Sequence, residues 1–258
     1  MTETKGRFVW HELTTSDREA ATAFYGDVVG WTFDHMPMGD FIYSVAKAGE
    51  PMVAGLMETP EPAKSQGVPP HWTGYVEVES VDESARQGES LGGKTLYGPQ
   101  DIPNVGRFAI VADPTGAAFA LFKPLPPQGP MPEAGPTDPG AIGWNELYAG
   151  DLTEAWAYYE AMFDWRKDQA IDMGDMGVYQ LFAAGDRVLG GMMTKPAQMP
   201  IPSWLYYVVV PDIDAATAKI TADGGQVLMG PMEVPGGGWI TQGRDPQGAY
   251  FAVTGPRL

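Results

Sequence analysis

Residues 8–31, FVWHELTTSDREAATAFYGDVVGW, are answered by residues 142–165, IGWNELYAGDLTEAWAYYEAMFDW. At a constant offset of 134, Trp10-His11-Glu12-Leu13 meets Trp144-Asn145-Glu146-Leu147, Asp17 meets Asp151, Phe24-Tyr25 meets Tyr158-Tyr159 and Trp31 meets Trp165. After a short indel the offset becomes 132, pairing Trp72 with Trp204, Gly92-Gly93 with Gly224-Gly225, Gly98-Pro99 with Gly230-Pro231 and Asp113-Pro114 with Asp245-Pro246. A match held over this length is a tandem duplication. Between the copies, seven of the sixteen residues from Pro124 to Pro139 are proline. Proline fixes φ and donates no backbone hydrogen bond, so this stretch predicts an extended, semi-rigid connector. The expected boundaries are a first domain over 6–124, a linker over 125–139 and a second domain over 140–258.

Each copy is itself built from two smaller units. Residues 7–15 read as a strand, and Ala20, Ala21, Phe24, Tyr25 and Val28 recur at helical spacing behind Asp17 or Ser16 as an N-cap. Strand-like runs follow at 41–46 and 52–57. The pattern restarts with a strand at 72–78, a helix from about 82 to 91 stopped by Gly92-Gly93, and strands near 94–97, 106–112 and 117–122. One unit reads as βαβββ and the chain holds four, which predicts an α+β fold.

Composition narrows the function. The 258 residues are 44% apolar, carry 16 basic against 33 acidic residues for a net charge of −17, and include eight Trp and no Cys. Disulfides, thiolate metal sites and a cysteine nucleophile are excluded. An acidic chain repels phosphate backbones, so nucleic acid is not an expected partner; the same field attracts small cations, although surface acids also serve solubility alone. No apolar run reaches the length of a membrane helix and the N-terminus has no apolar signal core, so a cytoplasmic protein without membrane contact is expected. Gly236-Gly237-Gly238 lacks the Lys and helix of a phosphate-binding loop and reads as a turn.

The order of these motifs resembles the vicinal-oxygen-chelate superfamily, the glyoxalase/bleomycin-resistance/dioxygenase fold. The residues that carry the resemblance are the opening strand, Asp17, Phe24-Tyr25 and Gly30-Trp31, then Val81-Asp82 and Gly92-Gly93, then Gly106-Arg107-Phe108 and Asp113-Pro114-Thr115-Gly116, with Asp245-Pro246-Gln247-Gly248 repeating the last motif. The resemblance covers nearly the whole chain outside the linker. It implies two domains, each a curved mixed sheet of two βαβββ units around a cavity.

Many members of that superfamily hold a divalent metal in the cavity through two His and a Glu, as a Lewis acid. At the position of the first-strand His this sequence has Trp10 and Trp144, and at the position of the Glu it has Ala120 and Ala252. The second-unit strand offers Thr73 or a neighbour in the first copy and Leu205 in the second. Only His11, His35 and His71 exist, all in the first copy, and strand alternation sends His11 with Val9 and Leu13 towards the helices. A site from His11 and His71 would need a slip in register. No metal and no cofactor is therefore expected.

The same alternation turns Trp10 with Glu12, and Trp144 with Glu146, into the cavities. Trp72 and Trp204 open the facing units, and Tyr43 and Tyr179, paired by the repeat, are candidates to orient a ligand. The expected ligand-binding residues are thus Trp10, Glu12, Tyr43, Trp72, Trp144, Glu146, Tyr179 and Trp204. Indole faces beside a carboxylate suit a flat aromatic or cationic guest; the competing reading is that these aromatics only fill the sheet interior. Among fourteen Met, Met192-Met193 and Met36 with Met38 lie near strand ends and read as adaptable packing or as compliant pocket lining. Arg107 aligns with Trp239, so the two pockets need not bind the same guest. The expected function is small-molecule binding of the glyoxalase/bleomycin-resistance type by a monomer or homodimer. The alternative is a lyase, isomerase or dioxygenase with a noncanonical metal site, or with Glu12 or Glu146 as general base, which burial beside indoles would strengthen. The third reading is a scaffold with a collapsed pocket.

Overall fold

The computed structural model describes residues 5–126 and 132–258. The first repeat runs β1 (Phe8–Thr15), α1 (Arg18–Val29), β2 (Thr32–Met38), β3 (Phe41–Lys47), β4 (Met52–Glu58), α2 (Glu61–Ser65), β5 (His71–Glu77), α3 (Val81–Ser90), β6 (Lys94–Ile102), β7 (Gly106–Ala112) and β8 (Ala118–Pro124). The second runs β9 (Ile142–Ala149), α4 (Leu152–Phe163), β10 (Arg166–Asp172), β11 (Val178–Ala184), β12 (Arg187–Thr194), β13 (Ser203–Val209), α5 (Ile213–Ala222), β14 (Gln226–Glu233), β15 (Trp239–Arg244) and β16 (Tyr250–Gly255). Each repeat forms one mixed sheet of eight strands, in the orders β2-β3-β4-β1-β5-β8-β7-β6 and β10-β11-β12-β9-β13-β16-β15-β14. The α+β arrangement of four βαβββ units is present. Part of the proline-rich linker, residues 127–131, lies outside the described residues. No helix among the described residues is long and apolar enough to cross a membrane.

Local chemistry sets the helix ends. Asp17 accepts from the Ala20 N–H at 2.9 Å and Asp151 from the Glu154 N–H at 2.9 Å, satisfying donors that the first helical turn leaves unpaired. At the other end Gly30 and Asp164, equivalent by the repeat, adopt left-handed φ of 80° and 58°. Glycine does this without strain, and Asp is among the side chains that tolerate it.

Strand β2 is an addition to the elements expected from the sequence. Its stretch TFDHMPM shows no clean alternation and contains Pro37; it is the edge of the sheet, where Pro is tolerated and burial imposes no pattern.

The compact units do not coincide with the repeats. Boundaries fall after Trp10, Trp72, Trp144 and Trp204, so one unit joins β6–β8 and α3 to α4 and β10–β12, and the other joins α1 and β2–β4 to α5 and β14–β16. In the first unit, Tyr159 of α4 stacks on Trp165 with centroids 5.3 Å apart and meets Trp204 edge-on at 5.5 Å and Phe119 at 5.5 Å. In the second, Tyr25 of α1 stacks on Trp31 at 5.7 Å and meets Trp72 edge-on at 5.4 Å and Phe251 at 5.4 Å. Such pairs add about 0.5–1.5 kcal/mol each beyond area burial. Each core therefore draws aromatic side chains from both repeats.

Candidate functional site

Burial along β1 separates its two faces: His11, Leu13 and Thr15 are buried, while Glu12 and Thr14 between them are half-buried. Glu12 pairs in register with Gly55 of β4, and Gly55 with Val45 of β3. This places Glu12, Gly55 and the odd-numbered side chains of β3 on one face. Tyr43 leans across Gly55 and donates its hydroxyl to Glu12 Oε2 at 2.8 Å. A Cβ at position 55 would overlap the Tyr43 hydroxyl, so the missing side chain creates the space in which the ring lies. A phenol donating to a carboxylate is a charge-assisted bond, worth roughly twice a neutral one, and it fixes that oxygen in one direction.

The second repeat rebuilds this arrangement. Glu146 of β9 pairs with Gly191 of β12, and Tyr179 of β11 lies over Gly191, where a Cβ would overlap the ring. Glu146 is buried, with 7% of its surface exposed, whereas Glu12 is half-buried.

Trp10 lies against a different set: Tyr75, Ala120 and Phe122, together with Phe108 and Ile110. Tyr75 pairs with Ala120, and Ala120 with Ile110. The matching register in the second repeat is Tyr207 to Ala252 to Gln242, and there Gln242 Nε2 donates to the Tyr207 hydroxyl at 2.6 Å. Trp144 is half-buried. Sequence reasoning missed Tyr75, Tyr207 and Gln242; the pairing of the two tyrosines at the 132 offset was the available signal.

Trp72 and Trp204 correct the sequence expectation. Both are buried on the helix side, where Trp72 donates its indole N–H to the Tyr25 hydroxyl at 2.9 Å and Trp204 donates to the Tyr159 hydroxyl at 3.1 Å. Tyr25 in turn donates to Asp245 at 3.0 Å, and Tyr159 to Asp113 at 3.2 Å. Both carboxylates sit in the Asp-Pro-x-Gly turns and accept backbone N–H groups, from Gln247 and Ala249 at Asp245 and from Thr115, Gly116 and Ala117 at Asp113. Burial pushes both tyrosines well above their ordinary pKa, and the neighbouring carboxylate adds to the shift. Burial also raises Asp245, with the hydrogen bonds it accepts opposing that effect. These chains bind the repeats together and occupy the N–H of each indole.

The three histidines are held locally. His11 is buried edge-on to Tyr206 with centroids 4.8 Å apart, His35 shares the Ser44 hydroxyl and Arg18 at 2.9 and 3.3 Å, and His71 lies 2.8 Å from the Pro69 carbonyl. Among the described residues no three His, Asp or Glu side chains cluster as metal ligands. The residues at the positions where the resemblance implies a metal site, Trp10 with Ala120 and Trp144 with Ala252, supply an indole and a methyl group. That donor set does not fit a divalent ion.

Comparison with known proteins agrees with the fold. The family model described as the Glyoxalase/Bleomycin resistance protein/Dioxygenase superfamily matches residues 141–253, and a bleomycin resistance protein-like N-terminal model matches residues 7–43. The chain is 34% identical over 249 residues to the "Putative glyoxylase CFP32" of Mycobacterium tuberculosis, covering 96% of this chain and 94% of that protein. It is 30% identical over 262 residues to the "Anthracycline biosynthesis protein DnrV" of Streptomyces peucetius, covering 96% and 92%. Among solved structures, the 2,3-dioxygenase LapB from Pseudomonas sp. KL28 superposes with a TM-score of 0.65 at 13% identity, covering 99% of this chain and 94% of that one. The Mn(II)-bound glyoxalase from Novosphingobium aromaticivorans gives 0.64 at 15%, covering 99% and 83%. At these identities the structural likeness speaks for the fold alone.

Proposed function

Since the chain belongs to the glyoxalase/bleomycin resistance protein/dioxygenase superfamily, we propose that it is a small-molecule binding member that works without metal and takes a flat aromatic or cationic guest. The observation that carries this reading is the Glu12 carboxylate, oriented by the Tyr43 hydroxyl across a glycine, where the described residues offer no ligand set for an ion. A net charge of −17 favours cations, and the phenol face of Tyr43 favours planar rings. The relatives named for anthracycline biosynthesis lend weight to an aromatic guest.

Glu12→Gln keeps the shape and the hydrogen-bonding atoms and removes the charge. With a charged contact worth about 1.5–3 kcal/mol, the affinity for the planar cation proflavine is expected to fall about 10- to 100-fold, while that for a neutral ring of the same size changes little. Isothermal titration of the intact chain checks this; equal losses for both ligands overturn the ionic role. Elemental analysis after dialysis tests the other half, and stoichiometric zinc, nickel, iron or manganese would overturn metal independence. The Tyr43–Glu12 pair also supports a second reading, a catalyst with Glu12 as proton acceptor, distinguished by chemical change in a bound guest during the titration.

A further inference from the structure

The β2–β3 hairpin leaves apolar side chains in water on the Glu12 face. In its antiparallel register Met36 stands opposite Tyr43 and Met38 opposite Phe41, so these four side chains leave the sheet on the same side. Met36, Met38 and Phe41 keep 48%, 38% and 43% of their surface exposed. A contiguous exposed apolar patch marks a contact surface, and methionine adapts its shape to the partner.

Two observations select the occupant. Pro37 removes a backbone donor from the edge strand and Asp34 and His35 make it polar, which disfavours a second copy adding as a further strand. Asp34 is paired with Lys47 at 3.4 Å, so the charge that complements a cation at the patch comes from Asp40 in the turn and Glu12 at its inner end. Size follows from the sheet: β1 and β2 lie three strand spacings apart, about 14 Å, and Met36 and Met38 stand two and four residues beyond Asp34, the β2 residue in line with Glu12, which adds about 7 and 13 Å along the strand. A guest that meets both Glu12 and the methionines is a fused system of several rings.

The second repeat lacks this grip. Its β10–β11 register sets Asp172 opposite Val178 and Ile171 opposite Tyr179, and the connection of 173–177 replaces the two-residue Gly39-Asp40 turn.

We propose that the β2–β3 hairpin determines specificity at the Glu12 site, with Met36, Met38 and Phe41 clasping the apolar body of a fused polycyclic cation whose charge pairs with Glu12, and that the second repeat does not share this guest. The proposal rests on the binding function proposed above. The test titrates the full chain with proflavine, a three-ring cation, and benzamidine, a one-ring cation, for wild type, Glu12→Gln and the triple variant Met36→Gln/Met38→Gln/Phe41→Ser. All three hairpin side chains are exposed, so the triple variant is expected to melt as wild type does. Should it not, Met38→Gln and Phe41→Ser are read singly. The expected result is a loss of proflavine affinity of at least about tenfold in the hairpin variant with benzamidine unaffected. Unchanged proflavine binding in the hairpin variant, beside a loss in Glu12→Gln, overturns the grip and leaves the binding function standing. No saturable proflavine binding by wild type overturns both. A shift from dimer to monomer in sedimentation with proflavine binding intact assigns the hairpin to a contact between copies and also overturns the grip.

Discussion

At the scale of single residues, the site depends on an absence. Tyr43 reaches Glu12 only because Gly55 has no Cβ. Gly55→Ala forces the phenol aside and breaks its bond to the carboxylate, so its expected effect on proflavine affinity equals that of Tyr43→Phe. Because the displaced atoms are the far end of a side chain, the stability cost is about 1 kcal/mol, at the low end for overpacking. Titration and urea denaturation check the two parts, and a Gly55→Ala variant that binds more tightly than Tyr43→Phe would show that the ring has another way to reach Glu12. Strand alternation separated Glu12 from His11 and Leu13, and the repeat paired Tyr43 with Tyr179, but neither announced the bond between Tyr43 and Glu12. Trp72 was misplaced because parity within β5 has no anchor in sequence: either face of a strand that begins with an aromatic residue satisfies the pattern. The clue lay elsewhere. Trp72, Tyr25 and Asp245 each have a counterpart in the other copy, Trp204, Tyr159 and Asp113, and groups kept as a set are explained by hydrogen bonding to one another.

At the scale of elements, the turn before β16 carries a titratable group into the core. Burial raises the Asp245 carboxyl above its ordinary 3.8. The folded chain then holds this proton more tightly than the unfolded chain does. Stability from the group is complete below the unfolded pKa and is lost as pH rises through the folded value. The unfolding free energy of wild type minus that of Asp245→Asn should therefore decline as pH rises from about 3.8, then level off. Urea denaturation across that range measures it; a gap that is constant or widens with pH contradicts the assigned cause. The amide contributes a fixed offset, so the slope carries the test. Helices α1 and α3 were readable because caps, periodicity and stop signals coincide there. Strand β2 was not, because an exposed edge segment that ends in a Met-Pro-Met run is released from the burial that imposes alternation.

At the scale of the whole molecule, the duplication supplies reciprocal bonds. Tyr25 in the first repeat donates to Asp245 in the second, and Tyr159 in the second donates to Asp113 in the first. The indoles of Trp31 and Trp165 do the same with backbone, bonding the carbonyls of Gly140 at 2.7 Å and Gly6 at 2.6 Å. The repeat in sequence thus revealed two sheets, but not that each compact unit takes half of each repeat, since no residue pattern within one copy announces which copy its tyrosine will meet. A consequence follows for the first repeat alone. It carries one member of each bond, Tyr25 and Asp113, whose other partners, Trp72 for Tyr25 and the 115–117 turn for Asp113, lie within the repeat. Residues 1–124 expressed in isolation would expose the aromatic face of α1 to water and lose the Tyr25 and Asp113 bonds that cross to the second repeat, so the driving force for association is chiefly the apolar area of that face. Two copies can relieve this together, Tyr25 of each donating to Asp113 of the other, through a self-complementary interface of the kind that closes as a dimer. Sedimentation equilibrium should find a dimer for residues 1–124, and Tyr25→Phe should weaken it. A stable monomer with native-like near-ultraviolet dichroism would mean that the reciprocal bonds decorate two self-sufficient domains instead of completing them.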